Sequence, residues 1–402
     1  MTRPDSDTGT RWGAAVGAVA DLGVLLPIVL LLVVRNGLSP TAILLPVGVL
    51  YLVAGAAYRL PVPVQPMKAM AAVALAAGLS ADVIAAAALT VGGLFLLLGC
   101  AGLLERCARL MPLAVVRGVQ LAVGLALAKV GYGLVTTPAA AFGPQPPPLL
   151  AAGAAAILVG VFALYPRVGL AVAMLAALAW TVLAGGASAQ LGPAPVSPPS
   201  LDMASLGTAI VLLVIPQVPL TLTSSCIATA DAARLYYGPR AGRVSPDRLA
   251  KTLGGANLLA GTLSGMPMCH GSGGVSAHYR FGGRTGLTPA LAGAGAIVVA
   301  LVFGRAFLDH AAAFPLPLLV ALLVVAALAH MRLVLTLSRR RDTAVALCIG
   351  LASTVVGLAY LVVVGLVAWW LLPSLRTGPT MARDSAAERR PATAEVATQS
   401  GS

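Results

Sequence analysis

Two stretches of the chain combine proline, glycine and polar side chains in a pattern that is typical of anion-binding sites. The first, residues 59–70, reads RLPVPVQPMKAM, and the second, residues 265–284, reads GMPMCHGSGGVSAHYRFGGR. Because clustered prolines exclude a continuous helix, each stretch is predicted to run extended and then to start a short helix. Pro66 is expected in the first turn of the first short helix, and residues 271–274 are expected at the start of the second.

The start of a helix is a natural anion site. Its first N–H groups have no partner within the helix, and the helix dipole adds about half a positive charge there. Lys68 would add a full charge at the first helix start, and Gly271 and Gly273 would let a ligand approach the backbone closely at the second. The sequence therefore predicts an anion pocket bounded by residues 63–69 and 269–275.

Polar side chains in or near these stretches complete the predicted site. Gln65 has no role in an extended apolar run other than hydrogen bonding, and Gln217 and Thr221, four residues apart, share one helix face. Alternatively, Gln217 and Thr221 form hydrogen bonds to neighbouring helices. The alternative role of His270 is structural, and that of Lys68 is to pair with Asp21 and so to set the shape of the pocket. The predicted substrate-binding residues are Gln65, Pro66, Met67, Lys68, Gln217, Thr221, Ser224, His270, Gly271, Ser272 and Gly273.

Asp21 is an ionisable residue well inside the first apolar segment. Such residues in membranes are functional hypotheses by default. Asp21 and His270 are the candidates for proton coupling, because both can change charge while Lys68 stays cationic beside an anion. The alternative for Asp21 is a hydrogen-bond acceptor that ties helices together. No metal site is predicted, because the pair His270 and His278 lacks a third ligand.

The elements that must position these residues are apolar segments. The chain has 402 residues, of which 59% are hydrophobic and only 10% charged, so an ordinary soluble enzyme is excluded. Its five cysteines contain no C-x-x-C pair and indicate neither a disulfide nor a zinc framework. Fourteen segments are predicted, at about 13–34, 40–58, 66–78, 83–104, 113–133, 149–164, 167–185, 206–230, 252–264, 271–281, 286–304, 315–330, 343–356 and 357–372.

The interrupted stretches are the third and tenth of these segments, seven apart. An odd repeat length inverts the second copy in the membrane, so that the two short helices point their N-termini at each other. The fold class is therefore an all-α polytopic membrane protein with two inverted seven-segment repeats, residues 12–185 and 201–373. Residues 1–11 and 374–402 are predicted as cytoplasmic tails, the second one disordered, and residues 343–372 as either one tilted helix or two short ones.

The positive charge follows the expected membrane topology. The chain has 26 Lys and Arg against 13 Asp and Glu, a net charge of +13. With both termini inside, only Arg35 and Arg305 fall in outside loops, and only Lys68 and Lys129 fall within segments. Positive residues concentrate on the cytoplasmic side of membrane proteins. The basic balance therefore predicts a multi-pass protein of the inner (plasma) membrane and removes any need for nucleic acid as a partner.

Four motifs resemble the molybdate transporter family, a branch related to the sulfate permeases (SulP). They are Asp21-Leu22-Gly23 with Pro27, PVPVQPMKA at 61–69, PQVPLTLTSS at 216–225, and GMPMCHGSGG…YRFGGRTG at 265–286. The resemblance implies core and gate domains, with the oxyanion between the third and tenth segments. Two positions depart from the family pattern: Ala20 stands where Gly is common, and Ser224 stands where Asn is common.

The expected function is secondary active import of a tetrahedral oxyanion by alternating access, with molybdate as the first candidate substrate. No cofactor is expected, since molybdenum is cargo. The partners considered are the oxyanion, the lipid bilayer, a proton as symport co-substrate and a second copy in a homodimer. A permease of the same fold for sulfate, another anion or a nucleobase is the alternative. An intramembrane hydrolase is more remote, because Ser272 beside His270 lacks the geometry of a nucleophile and its base.

Overall fold

In a computed structural model of the chain, residues 11–20, 22–137, 142, 147–165, 168–184 and 190–371 are described. The described part is almost entirely helical. The elements of its first half are α1 (Arg11–Ala20), α2 (Leu22–Asn36), α3 (Pro40–Tyr58), β1 (Gln65–Pro66), α4 (Lys68–Ala77), α5 (Ala81–Cys100), α6 (Leu104–Arg109), α7 (Leu113–Thr136), α8 (Pro148–Leu164) and α9 (Val168–Ala184).

The second half opens with a long helix that contains two π-helical stretches. Its parts are α10 (Met203–Thr208), a π-helical stretch (Ala209–Val214), α11 (Ile215–Leu220), a second π-helical stretch (Thr221–Ile227) and α12 (Ala228–Tyr237). The remaining elements are α13 (Pro246–Thr262), β2 (Met268–Cys269), α14 (Ser272–Arg280), α15 (Leu287–Val302), α16 (Gly304–His310), α17 (Leu316–Arg332), α18 (Arg340–Ala352) and α19 (Leu358–Leu371), with 3₁₀ turns at Gly238–Arg243, Ala311–Ala313 and Leu333–Thr336.

Three details of the predicted segments need correction or completion. Pro66 is part of β1 rather than of the first helical turn, and α4 begins at Lys68 with Met67 as its N-cap. The helix predicted from residue 252 begins at Pro246, because Ser245 caps it there. The predicted start was too late because the polar residues of the first turns interrupt the apolar pattern. Residues 343–372 contain two helices, α18 and α19, separated by a turn.

Two short strands lie at the centre of the fold. β1 and β2 pair antiparallel, with Gln65 opposite Cys269 and Pro66 opposite Met268. The N–H of Met67 extends the ladder by donating to the carbonyl of Pro267 at 3.0 Å. Both strands are fully buried, so their backbone groups need such partners.

Glycines allow a first group of helices, which comprises α3, α5, α13 and α15, to pack closely. A Cβ on Gly92 of α5 would lie 2.8 Å from the N atom of Leu258 in α13, and one on Gly254 would lie 2.5 Å from the N atom of Leu96. The same arrangement joins α3 to α15, where a Cβ on Gly48 would lie 2.8 Å from the carbonyl oxygen of Gly293. Small residues at such contacts let helices associate through close van der Waals packing in a membrane.

A second group of helices packs around α7. This group comprises α7, α8, α17, α18 and α19, and α7 contacts each of the others. Gly124 of α7 fits against α17, where an added Cβ would lie 2.8 Å from the carbonyl oxygen of Ala327. Helices α2 and α4 adjoin this second group, because α4 packs on α7 and α2 packs on α17, and α2 also contacts α3 of the first group.

The lengths and compositions of the helices identify a membrane protein. Among the described residues, five helices are long and apolar enough to cross a membrane, and a sixth span results if α15 and α16, bent by 80° at their junction, are taken together. Shorter apolar helices, including α4, α8 and α19, accompany them. The chain is therefore a multi-pass membrane protein.

Candidate substrate-binding site

The paired strands bring the starts of two short helices together. Two residues after the Gln65–Cys269 pair, Met67 caps α4 on one strand and Gly271 caps α14 on the other. Neighbouring strands lie about 5 Å apart. The two segments that the sequence predicted to bound the pocket are therefore in direct contact through this strand pair.

Gln65 and Lys68 form the polar centre of the first segment. The ammonium group of Lys68 donates to Oε1 of Gln65 at 2.7 Å. Gln65 is buried and Lys68 is half-buried. A cation in the first turn of a helix opposes the helix dipole, so the arrangement favours a negatively charged group nearby.

Gln217 connects the long helix to the start of α4. Its Oε1 accepts from the N–H of Met70, in the first turn of α4, at 3.3 Å, and its Nε2 donates to Oγ1 of Thr221 at 3.0 Å. Gln217 and Thr221 are both buried, as their shared helix face predicted. Gln217 thus accepts a bond from the start of another helix, in line with the alternative that it bonds a neighbouring helix.

The helix that carries Gln217 is wound loosely on both sides of it. The N–H of Ile215 bonds to Ile210, and that of Ala228 bonds to Thr223, five residues back rather than four. Pro216 and Pro219 lack N–H groups and clash with the preceding turn, which is a physical reason for the wider winding. Such π-helical turns are frequent at functional sites.

His270 turns away from the helix start. It is completely buried, with Nδ1 3.0 Å from the carbonyl oxygen of Pro63 and Nε2 3.0 Å from Oγ1 of Thr252. A carbonyl accepts only from N–H, so Nδ1 carries the proton and the neutral ring accepts at Nε2. The hydroxyl of Tyr58 lies 2.6 Å from Oγ1 of Thr252 and extends this chain of bonds. His270 therefore links both broken segments to α3 and α13.

Asn257 holds the second strand in place. Its Nδ2 donates to the carbonyl of Met268 at 2.7 Å, and its Oδ1 accepts from the N–H of the same residue at 2.8 Å. These two bonds satisfy a buried strand residue that would otherwise lose hydrogen bonds to water. A single asparagine in an apolar helix near a broken segment is the sequence signal for such a role.

The two glycines at the start of α14 have different surroundings. A Cβ on Gly271 would lie 2.7 Å from Oε1 of Gln65, so glycine is needed there for the segments to approach. A Cβ on Gly273 would meet nothing within 4 Å. Gly273 thus faces open space at the helix start, and Ser272, the first residue of α14, is half-buried beside it.

One predicted site residue, Ser224, is not part of this cluster, and another lies outside the described residues. Ser224 lies in the second π-helical stretch, and its Oγ accepts from Nε2 of Gln120 in α7 at 3.5 Å. Gln120 in turn accepts from Arg117 at 2.9 Å, so Ser224 faces the second helix group. Asp21 lies outside the described residues. The other predicted residues lie on β1, on the long helix or at the starts of α4 and α14.

The sequence is similar to that of known transporters. The family profile described as "Molybdate transporter of MFS superfamily" matches residues 13–127 and 209–330, more than half of the chain. Molybdate transporter 2 of Arabidopsis thaliana is 28% identical, over 77% of this chain and 76% of its own length. Molybdate transporter 1 of Chlamydomonas reinhardtii is 29% identical, over 78% and 82%.

The fold is similar to solved anion-transporter structures. The transmembrane domain of BicA, a cyanobacterium bicarbonate transporter, superposes with a TM-score of 0.62 at 16% identity, over 89% of this chain and 96% of that domain. Murine Slc26a9, an anion transporter in the inward-facing state, gives 0.62 at 15% identity, over 91% and 68%. These solved structures share the SLC26/SulP fold with the chain. The sequence relatives are transporters and not enzymes, as expected for this chain. The chain is a multi-pass membrane transporter that belongs to the molybdate transporter family.

Proposed function

We propose that the protein imports a tetrahedral oxyanion, molybdate first, and holds it between the starts of α4 and α14. The observation that carries this proposal is the antiparallel pairing of Gln65 with Cys269, which sets the two helix starts side by side. Lys68 stands in the first turn of one helix, and Gly273 faces open space in the first turn of the other. Together they offer charge on one side and backbone N–H groups on the other.

The polar contacts support an anion better than a nucleobase. Lys68 and two helix dipoles supply positive potential, and the only acid among the predicted site residues is Asp21, outside the described part. Gln65 and Gln217 orient the first segment through Lys68 and the N–H of Met70. The sequence relatives are molybdate transporters, which favours molybdate as the substrate, and sulfate, another tetrahedral oxyanion, remains the second candidate.

The transport step would be a movement of the two helix groups against each other. We assign the packed set around α3, α5, α13 and α15 to a core domain and the set around α7 to a gate domain. The antiparallel strand pair is consistent with two inverted seven-segment repeats, residues 12–185 and 201–373, and α4 and α14 would be the half-helices of that arrangement. Alternating access then exposes the pocket to each side in turn.

Proton symport would supply the driving force. The entry of a dianion against an inside-negative potential of 100 mV costs roughly 4.6 kcal/mol of free energy, twice the cost for one elementary charge. Asp21 and His270 are the proposed carriers, and the two hydrogen bonds of His270 make Asp21 the first to test. We further propose location in the inner (plasma) membrane with both termini cytoplasmic, from the distribution of Arg and Lys, and a homodimer as the assembly to test.

Uptake by the purified protein in liposomes tests the function. Labelled molybdate should accumulate inside, and unlabelled molybdate should compete better than tungstate, sulfate or uracil. Stronger competition by sulfate would assign the sulfate alternative, and competition by uracil alone would contradict an oxyanion site. At fixed membrane potential, an inward proton gradient should stimulate uptake, and Asp21→Asn should weaken this stimulation more than it weakens equilibrium binding.

A further inference from the structure

The segment that joins the two halves of the chain is rich in proline. Residues 190–200, here called the clasp, read QLGPAPVSPPS and contain four prolines. They form neither helix nor strand and lead into α10. Proline restricts the backbone to extended conformations, so a segment of this composition acts as a semi-rigid spacer and loses little entropy when it is ordered.

Arg305 anchors the first part of the clasp. Its N–H donates to the carbonyl of Gly192 at 3.0 Å, and the N–H of Gly192 donates to the carbonyl of Val302 at 2.7 Å. The guanidinium group of Arg305 donates to the carbonyl of Pro193 and to Oε1 of Gln190, both at 3.3 Å. Arg305 is one of the two basic residues that the predicted topology places in outside loops. These contacts give it a role there, at the junction of α15 and α16.

Thr41 ties the clasp to α3 and α15. Its Oγ1 accepts from the N–H of Ala194 at 2.8 Å and donates to the carbonyl of Ala300 at 2.7 Å. Both Thr41 and Ala194 are buried. Gly304 leaves room for this contact, since a Cβ there would lie 2.7 Å from the N atom of Ala194. One buried hydroxyl thus joins the backbone of the clasp to two helices of the first group.

The second part of the clasp reaches α13 and α5. Oγ of Ser264, two residues beyond the end of α13, donates to the carbonyl of Ser197 at 2.8 Å. Oδ1 of Asp82, in the first turn of α5, accepts from the N–H of Ser200 at 2.9 Å. The clasp is therefore bonded at or next to one end of α3, α5, α13 and α15, which are the four helices of the first group. The predicted topology places all four of these ends outside.

We propose that the clasp holds the outer ends of these four helices together, so that they move as one body during transport. The inference rests on the proposed function, because it concerns the movement of the two helix groups against each other. Van der Waals packing between the helices has little directional preference, whereas hydrogen bonds at their ends fix their relative positions. The clasp also positions the second broken segment, since Ser264 directly precedes it.

A thiol cross-link in the purified full-length protein tests whether the clasp moves with the helices. Ser197→Cys with Ser264→Cys would join the clasp to the end of α13, after Cys100, Cys107 and Cys348 are replaced by serine. Molybdate uptake into liposomes should be the same before and after oxidation, with the cross-linked fraction measured by mass spectrometry. Loss of uptake on oxidation, with recovery on reduction, would overturn the inference. Failure of the pair to cross-link would contradict the contact on which it depends.

A cross-link between the two helix groups is the matched control. Nε2 of Gln120 in α7 lies 3.5 Å from Oγ of Ser224 in the long helix, which also packs on α5 and α13. Oxidation of Gln120→Cys with Ser224→Cys should stop uptake, and reduction should restore it. Unchanged uptake in this oxidised control would count against the proposed movement of the groups and hence against the proposed function.

Hydrogen exchange tests whether the clasp holds the helix ends. Thr41→Val keeps the shape of the side chain and removes both of its bonds, so amides at the outer ends of α3 and α15 should exchange roughly fivefold faster, the equivalent of one hydrogen bond. Ser264→Ala, at a half-buried position, is the milder variant and should speed exchange of the Ser200 amide. Thr136→Val is the control, because the hydroxyl of Thr136 is exposed and bonds to Tyr132 of its own helix. Exchange in Thr41→Val and Ser264→Ala equal to that in Thr136→Val would overturn the inference.

Discussion

The two broken segments meet at one strand pair but contribute to the site in different ways. In the first, the side chains of Gln65 and Lys68 bond to each other beside the helix start, and Gln217 caps the same helix. In the second, His270 is bonded to Pro63 and Thr252, away from the helix start, and glycines occupy positions 271, 273 and 274. The first segment thus presents charge, and the second presents backbone.

This difference has a physical reason. Two cationic side chains, one at each helix start, would repel each other and would also be repelled by the positive ends of the two helix dipoles. One charged start and one glycine-rich start avoid this repulsion and leave room for the ligand. Gly271 serves a further purpose, because Gln65 lies against it where a Cβ would be. Substitutions in each segment test this division.

The largest effect is expected for the charge of the first segment. Lys68→Met should reduce molybdate uptake roughly 100-fold, because a charge-assisted contact and the local positive potential are both lost. Lys129→Met is the matched control, since Lys129 lies exposed on α7 and should be dispensable. A loss of less than about threefold in Lys68→Met would contradict the assignment of charge to this segment.

A smaller effect is expected for the backbone of the second segment. Gly273→Val should lower uptake about tenfold, the worth of one hydrogen bond to an ion, because the side chain would fill the open space through which the anion reaches the helix start. Gly255 in α13 is the control, because it is also a helical glycine with nothing within 4 Å of an added Cβ. Equal uptake by Gly273→Val and Gly255→Val would show that the anion does not approach this backbone.

The smallest effect on uptake is expected for His270. His270→Leu should lower the free energy of unfolding by about 2–3 kcal/mol, since Pro63 and Thr252 lose their buried partner. The molybdate affinity of the folded variant should change less than about threefold, whereas loss of a hydrogen bond to the ligand would change it about tenfold. Thermal unfolding and molybdate binding measure the two quantities.

Thr252→Val provides the control for this prediction. It breaks the other end of the same bond, so its effect on stability should not add to that of His270→Leu. If His270→Leu instead abolished stimulation by a proton gradient while remaining fully stable, its main role would be that of the second proposed proton carrier and not that of a structural link.

Much of this fold could be predicted from local sequence. The apolar segments place helices at positions close to those of α3, α5, α7, α8 and α15, and the prolines around Gln65 and Met268 locate both breaks. The errors lie where local signals compete. Pro66 fits a helix start as well as a strand, and the polar residues before 252 hide the beginning of α13.

The positions of the two breaks and the residue types at them follow from local sequence, because proline and glycine act on their own backbone. The directions in which the side chains point follow from the tertiary structure. Gln217 reaches Met70 across 147 residues, and His270 reaches Pro63 across 207. Such contacts depend on which helices pack together, which is a property of whole interfaces. Residue type alone therefore does not show that His270 connects the two broken segments to the scaffold.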